Sequence, residues 1–232
     1  MQSRTRISAL WPFAPYVLVS LVHVIALATG SALTTPTKAL LMPFLAIPVI
    51  LDWRRLAPRG AAVLLLAALF FSWLGDEAGL FFPFAPELPL MLGFFGIAHV
   101  AYITLFLRHL RIRPLPLWTL VYVIWWLLMI LVLGPHTGSL LGAVGAYGVI
   151  LAGTAATSAR CRPLVAWGGV FFLASDSILA FRLFLSEVMP GWTSPAVMVT
   201  YTLGQGLIVA GALLSLQRQR ADAQAGLAEV RV

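Results

Sequence analysis

The sequence predicts an all-α integral membrane protein, built as a bundle of eight transmembrane helices. Hydrophobic residues make up 61% of the 232-residue chain and charged residues only 10%, and the mean hydropathy is +0.96. This composition excludes an ordinary water-soluble globular domain. Because one membrane-spanning helix needs roughly 20 mostly apolar residues, eight spans use most of the chain and leave no room for a soluble domain.

Eight apolar segments, each bounded by Pro, Gly or charged residues, are the candidate spans. In chain order they cover residues 11–28, 36–51, 61–77, 88–107, 115–133, 139–157, 164–185 and 196–216. We assign residues 1–220 to a single eight-helix transmembrane domain. Residues 221–232 follow the last span and predict a short tail, either a frayed helix or disordered.

The connections between the spans differ in charge. Arginines precede the first span and follow the second, fourth, sixth and eighth, at positions 4, 6, 54, 55, 59, 108, 111, 113, 160, 162, 218 and 220. The other connections contain no Lys or Arg. Because basic residues are retained on the cytoplasmic side, we expect a multi-pass protein of the cell (inner) membrane with both termini and the tail in the cytoplasm. Topology thus explains the net charge of +7, and we expect no nucleic acid partner.

Two similar segments lie in spans that run in the same direction. Residues 71–76 of the third span and residues 171–176 of the seventh both begin with Phe and end with a small residue before Asp. This similarity raises the hypothesis of a parallel four-plus-four internal repeat. The sequence does not indicate an oligomeric state.

Polar side chains inside spans are the first candidates for a functional site, because an ionisable group there costs about 2.5–3.5 kcal/mol on insertion scales. They are Lys38, Asp76, His99, Asp176, Arg182 and Gln205, with Glu77 at the margin. A rise of about 1.5 Å per residue places the two cations about 3 Å below the outer face, the aspartates and Gln205 about 8–13 Å below it, and His99 about 16 Å below it. The predicted site therefore has a cationic mouth above acids, an amide and an imidazole.

Helical spacing adds further candidates to this site. His99 shares a face with Tyr102, Gln205 shares one with Tyr201, and Asp76 shares one with Ser72. Ser175 directly precedes Asp176. Structural interpretations stay open: the tyrosines and Ser175 can link helices, His99 can make a structural hydrogen bond, and Lys38 and Arg182 can reach the outer headgroups. Three glycines, Gly93, Gly96 and Gly204, are expected to allow close helix approach.

Metal ligands and nucleotide-binding loops are not indicated by the sequence. It contains no HExxH or CxxC pattern, no GxSxG motif and no GxxxxGK[ST] loop. We therefore expect no metal. The only cysteine, Cys161, lies between Arg160 and Arg162 in a polar connection and is expected to be a free cytosolic thiol.

The layered arrangement suits an amphiphile whose phosphate meets the cations while a reactive linkage reaches the carboxylates. A membrane-embedded lipid enzyme is therefore one interpretation. A proton-coupled transporter of a small or amphiphilic substrate is the alternative, because intramembrane Asp, His and Lys also carry protons. Broken helices would favour transport, and Pro43 and Pro48 in the second span are the only hint of one. A lipid-binding protein without turnover is a third interpretation.

Five short segments follow one another along the chain, at residues 37–43, 71–76, 96–102, 174–177 and 201–205. In this order they resemble the motifs of the YhhN-type lysoplasmalogenases, multi-pass membrane hydrolases of vinyl-ether lysophospholipids, and the resemblance extends over about residues 20–215. The family's usual Thr-Lys-Pro is Thr37-Lys38-Ala39 here, so the cation is kept and the local backbone differs.

The resemblance implies hydrolysis of the vinyl-ether bond of a lysoplasmalogen without a cofactor. The expected partners are a lysophospholipid substrate and membrane lipids. One of Asp76 and Asp176 would donate a proton to carbon while the other stays ionised, and which does which stays open. His99 would position the water or the second carboxyl. The expected substrate-binding residues are Lys38, Gln205, Tyr102, Tyr201, Ser72, Ser175 and Arg182.

Overall fold

The computed structural model describes the backbone of residues 11–229 and the side-chain surroundings of residues 11–226. Over this range the chain is all-helical, and eight helices are long and apolar enough to cross a membrane. The predicted eight-span α-helical fold is confirmed for the described residues, and the protein is a multi-pass membrane protein. Arg4 and Arg6 lie outside them. The cytoplasmic location of the termini and the four-plus-four repeat stay predictions.

The first four spanning helices lie close to their predicted positions. They are α1 (Ala14–Thr29), α2 (Thr34–Leu51), α3 (Arg59–Asp76) and α4 (Glu87–Leu105). A 3-10 turn at Trp11–Phe13 precedes α1, and a four-residue helix at Ala78–Phe81 follows α3. Helix α4 continues as a π-helix at Phe106–Leu110. Helix α2 runs unbroken through Pro43 and Pro48, so these prolines do not produce a broken span.

The second four spanning helices are α5 (Val121–Leu133), α6 (Leu141–Ser158), α7 (Pro163–Phe184) and α8 (Thr193–Glu229). The largest difference from the sequence prediction is in α8, which continues through most of the predicted tail. Residues 217–225 consist of Gln, Arg, Ala and one Asp, and most of these residues favour a helix even where no membrane surrounds it.

Helix α8 is the most buried of the eight, and α5 and α6 are the least buried. It packs most extensively on α7. A Cβ on Gly204 would lie 2.8 Å from the backbone N of Phe172, and one on Gly168 would lie 2.9 Å from the Gly204 carbonyl oxygen. The two backbones are therefore in direct contact, as expected for Gly204. The same expectation was wrong for Gly93 and Gly96, where a Cβ would meet no atom within 4 Å.

Cys161 differs from its predicted environment. Its side chain is fully buried, although charged residues flank it in sequence, because it lies in the turn between α6 and α7. Its backbone N–H donates to the Ser158 carbonyl at 2.9 Å. Burial raises the pKa of the thiol to about 12, and the guanidinium groups of Arg160 and Arg113 act in the opposite direction.

Candidate functional site

Asp76 is the last residue of α3, and its side chain points into the bundle. Its Oδ2 accepts a hydrogen bond of 2.7 Å from the Tyr201 hydroxyl of α8. The Lys38 ammonium of α2 donates to the Asp76 main-chain carbonyl. Because the last carbonyls of a helix have no partner within the helix, this contact caps α3. Lys38 therefore donates to the backbone of Asp76, and the carboxylate of Asp76 accepts from a neutral phenol.

Gln205 connects Asp76 to two further side chains. Its Oε1 accepts a hydrogen bond from the Tyr102 hydroxyl, and its Nε2 lies 3.0 Å from Ser72 Oγ and 3.3 Å from Tyr201 Oη. Ser72, Tyr102, Tyr201 and Gln205 are all buried. We call these four residues and Asp76 the Asp76 network. It joins α3, α4 and α8 through side chains that the sequence selected as candidates.

Asp176 has different partners. Its Oδ2 accepts a hydrogen bond from the Tyr147 hydroxyl of α6 and lies 3.7 Å from His99 Nε2 of α4. His99 Nε2 is also 3.2 Å from Tyr147 Oη, and His99 Nδ1 is 3.1 Å from Thr154 Oγ1. We call Asp176, His99, Tyr147 and Thr154 the Asp176 network.

Donor counting indicates how His99 is bonded. The Tyr147 hydroxyl donates to Asp176 and the Thr154 hydroxyl donates to the Ile150 carbonyl. A hydroxyl has one proton to donate, so both oxygens face the imidazole as acceptors. The imidazole thus lies between these two hydroxyl groups, with Nε2 3.7 Å from the Asp176 carboxylate.

Aromatic rings connect the two networks. The Phe172 ring centre lies 4.6 Å from that of His99 and 5.5 Å from that of Tyr201. Phe95 adds a further edge contact, with its ring centre 6.1 Å from that of Tyr201. The partners of both aspartates, His99 and Tyr201, thus contact one buried ring, and the two networks meet inside the bundle.

Three sequence candidates lie outside both networks: Lys38, which caps α3, and two residues of α7. Ser175 Oγ donates to the Val197 carbonyl at 3.0 Å, which links α7 to α8. The Arg182 guanidinium donates to Thr193 Oγ1 at 2.6 Å, at the beginning of α8. Both contacts are between α7 and α8, and a substrate-binding role for these two residues stays a prediction.

Three residues of this region were not among the sequence candidates. Tyr147 and Thr154 lie in α6, a helix rich in Gly and Ala, where a hydroxyl indicates helix packing as readily as function. His23 lies in α1 and is fully buried, with Nδ1 2.9 Å from Thr37 Oγ1. The sequence did contain a signal for His23, because it is an ionisable residue within the first span and such residues were the criterion for site candidates.

Two buried polar atoms near Lys38 have no hydrogen-bond partner among the described residues. They are His23 Nε2 and Glu77 Oε1. His23 bonds to Thr37, the neighbour of Lys38, and Glu77 follows the carbonyl that Lys38 caps. Burial raises the pKa of the Glu77 carboxyl, and the Lys38 ammonium opposes this rise. Such orphaned atoms in a native protein call for a partner such as water or a ligand, so this end of the bundle is suited to a polar group.

No group of three or more His, Cys, Asp or Glu residues within residues 11–229 could hold a metal ion. The side chains of the two networks offer carboxyl, imidazole, phenol and amide groups, and Lys38 adds an ammonium group beside them.

Comparison with known proteins gives one match. The YhhN family model matches residues 33–212 of this chain, a range that contains Lys38, Asp76, His99, Asp176 and Gln205. No curated protein and no solved structure matches the chain.

Proposed function

This chain belongs to the YhhN family, and from this premise we propose that it is a hydrolase that cleaves the vinyl-ether bond of lysoplasmalogens. The products are a fatty aldehyde and glycerophospho-ethanolamine or glycerophospho-choline. One observation carries the proposal. Two intramembrane aspartates, one bonded to a phenol and one beside an imidazole, are linked through these partners to a single aromatic cluster.

The reaction needs an acid and an anion at the same place. A proton is delivered to the β-carbon of the vinyl ether, and the resulting oxocarbenium ion is captured by water. The water loses a proton, and the hemiacetal that forms collapses to the aldehyde and the glycerol hydroxyl. A positioned acid contributes about 10²–10⁴-fold to such a step, and a fixed anion stabilises the developing cation.

We assign the acid to Asp76 and the anion to Asp176. The carboxyl of Asp76 accepts from the Tyr201 phenol, and the hydrogen bond of Lys38 goes to the backbone, so the carboxyl is free to carry the proton on its other oxygen. Asp176 accepts from the Tyr147 hydroxyl and lies 3.7 Å from His99 Nε2, and polar groups fixed around it in this way suit the role of the anion. Asp176 would accept the proton that the attacking water loses, and water would return it to Asp76.

The remaining candidates would position the substrate. Lys38 would meet the phosphate, as an ammonium group commonly does, and the orphaned His23 Nε2 and Glu77 Oε1 would complete the headgroup contacts. Gln205 and Tyr201 would orient the carboxyl of Asp76. The rings of Phe95 and Phe172 would line the binding site of the single hydrocarbon chain of the substrate.

The test measures aldehyde release from a lysoplasmalogen by purified Asp76→Asn and Asp176→Asn variants. We expect each to lose about 100-fold or more of the turnover while keeping the wild-type Tm to within a few degrees. Glu187→Gln is the control, because Glu187 is exposed in the loop before α8. Near wild-type turnover of either aspartate variant would remove that residue from the mechanism.

A second measurement separates hydrolysis from transport. Detergent micelles provide no compartments, so a transporter cannot accumulate its substrate in them. Aldehyde formation by the purified protein in micelles therefore supports the enzyme. Uptake of unchanged substrate into proteoliposomes, without aldehyde, would support the transporter instead.

A further inference from the structure

A large cavity opens at the end of the bundle opposite to Lys38. It has a volume of about 890 Å³ and lies between the entry to α1, the end of α2 and the C-terminal half of α8. Its apolar walls include Phe13, Pro48 and Leu213, and its polar rim includes Arg54, Arg55 and Arg220. None of these residues belongs to either aspartate network.

An apolar groove continues from this cavity along the surface of the bundle. It has a volume of about 520 Å³ and is lined by residues of α1 and α2, among them Leu18, Val22 and Phe44. Trp11 lines both the cavity and the groove. The basic cavity and the apolar groove therefore meet at the Trp11 side chain. A phospholipid has the same two parts, a charged headgroup and an acyl chain.

The charge of the rim favours an anion. Among the residues that the structure describes, three arginines and one acid, Asp52, line the cavity. The Asp52 carboxylate already accepts from Gln217 Nε2 and lies 3.9 Å from the Arg55 guanidinium. Arg220 donates to the Arg55 carbonyl at 2.7 Å, a neutral partner that leaves its charge unbalanced. Within residues 11–226, the rim therefore offers cations for a phosphate and no spare acid for a headgroup amine.

The depth of these residues matches the two parts of a lipid. Helix α8 has 37 residues and is about 55 Å long, well beyond the hydrocarbon thickness of about 30 Å. From its first residue, Leu213 lies about 30 Å along the axis, and Gln217 and Arg220 lie about 6 and 10 Å farther. The apolar walls therefore end where the headgroup layer begins.

We propose that this cavity and groove bind one anionic phospholipid. Its phosphate contacts Arg54, Arg55 and Arg220, and an acyl chain passes Trp11 into the groove between α1 and α2. Basic pockets between transmembrane helices bind anionic headgroups in this way. The lipid connects α1, the α2–α3 connection and α8, three parts of the chain that are distant in sequence, so its binding stabilises the folded bundle.

The test adds phosphatidylglycerol or phosphatidylcholine to the full-length protein in detergent and records the Tm and the bound lipid by native mass spectrometry. We expect one phosphatidylglycerol per chain and a rise in Tm of about 5 °C, because a ligand that binds only the folded state stabilises it. The double variant Arg54→Gln/Arg220→Gln should bind at least tenfold more weakly. Arg108→Gln/Arg111→Gln is the matched control, since all four arginines are exposed and the change of charge is equal.

Four outcomes would overturn the proposal. Phosphatidylcholine could raise the Tm as much as phosphatidylglycerol does, which would show that the site does not select an anionic headgroup. Both double variants could weaken binding equally, which would indicate an effect of net charge without a specific site. Glycerol phosphate alone could give the full shift, which would indicate an anion site and no lipid groove. A lipid-independent dimer, lost in Arg54→Gln/Arg220→Gln, would assign the cavity to a second copy of the chain.

Discussion

Tyr201 donates a hydrogen bond of 2.7 Å to Asp76, although the two residues lie on α8 and α3. The Asp76 carboxyl is therefore positioned by the most buried helix of the bundle and not by its own helix end. Asp176 is positioned by Tyr147, also a phenol. Each aspartate thus has one tyrosine partner, and His99, 3.7 Å from Asp176, is what distinguishes the two sites.

Replacing Tyr201 with Phe tests the positioning of the acid. The variant loses the donor to Asp76 and an acceptor of Gln205, and a hydrogen bond between uncharged groups contributes about 0.5–1.5 kcal/mol. We expect kcat for aldehyde release to fall by about two- to tenfold while the Tm changes by only a few degrees. Tyr122→Phe removes a phenol from a buried position on α5 outside both networks and should keep its activity. Equal effects of the two variants would contradict the role given to Tyr201.

His99 and Tyr147 should act on Asp176 as one unit. Neighbouring residues in one network couple by about 0.5–3 kcal/mol, so the losses in kcat/KM of His99→Gln and Tyr147→Phe should not add. We expect the double variant to be about as slow as the slower single variant. Fully additive losses in the double-mutant cycle would mean that the two side chains act independently.

Gln205→Leu tests the structural role of the amide. The substitution leaves the Tyr102 hydroxyl without its acceptor and Ser72 without its donor, and each buried unsatisfied group costs about 1–3 kcal/mol. We therefore expect a lower free energy of unfolding, measured by thermal denaturation in detergent. Gln219→Leu is the control, because it removes an amide from an exposed site on the same helix. Its Tm should stay near that of the wild type, and an equal loss in both variants would contradict the role given to Gln205.

Glu77 makes the stability of the protein depend on pH. Burial raises its pKa above the usual value of 4.5, so the folded state prefers the protonated carboxyl. The stabilisation is complete below about pH 4.5 and is lost as the pH rises through the folded-state pKa. The Tm of Glu77→Gln relative to the wild type should therefore increase between pH 4 and pH 8. A constant difference across this range would show that Glu77 does not titrate differently in the folded state.

Cys161 should resist alkylation in the folded protein. Its pKa of about 12 keeps the thiol protonated at neutral pH, and thiols react as thiolates. We expect maleimide at pH 7 to label little of the native protein and all of the denatured protein, as measured by intact mass. Ala225→Cys, at an exposed position of α8, should gain one fast label under the same conditions.

The sequence predicted the spans, and it selected all five residues of the Asp76 network as candidates, because both depend on local signals. Apolar length defines a span, and helical spacing places Tyr201 beside Gln205 and Ser72 beside Asp76. The Asp176 network was only half predicted. Tyr147 and Thr154 each have only one polar group, a hydroxyl. They join the network because α6 packs against α4, and residue spacing within one helix does not predict which helices pack together. Likewise, α8 extends beyond the apolar segment because the polar residues that follow it favour a helix, and a search for apolar segments does not detect this.

The contact of Gly168 with Gly204 has a consequence for how a fatty chain enters. With the backbones of α7 and α8 touching, sliding either helix would drive Phe172 or Ile208 into the opposing main chain. The α7–α8 pair therefore has little room to shift, whereas α5 and α6 are the least buried of the eight spans. We expect a fatty chain to reach the reactive centre from the bilayer on the side of α5 and α6, past Tyr147.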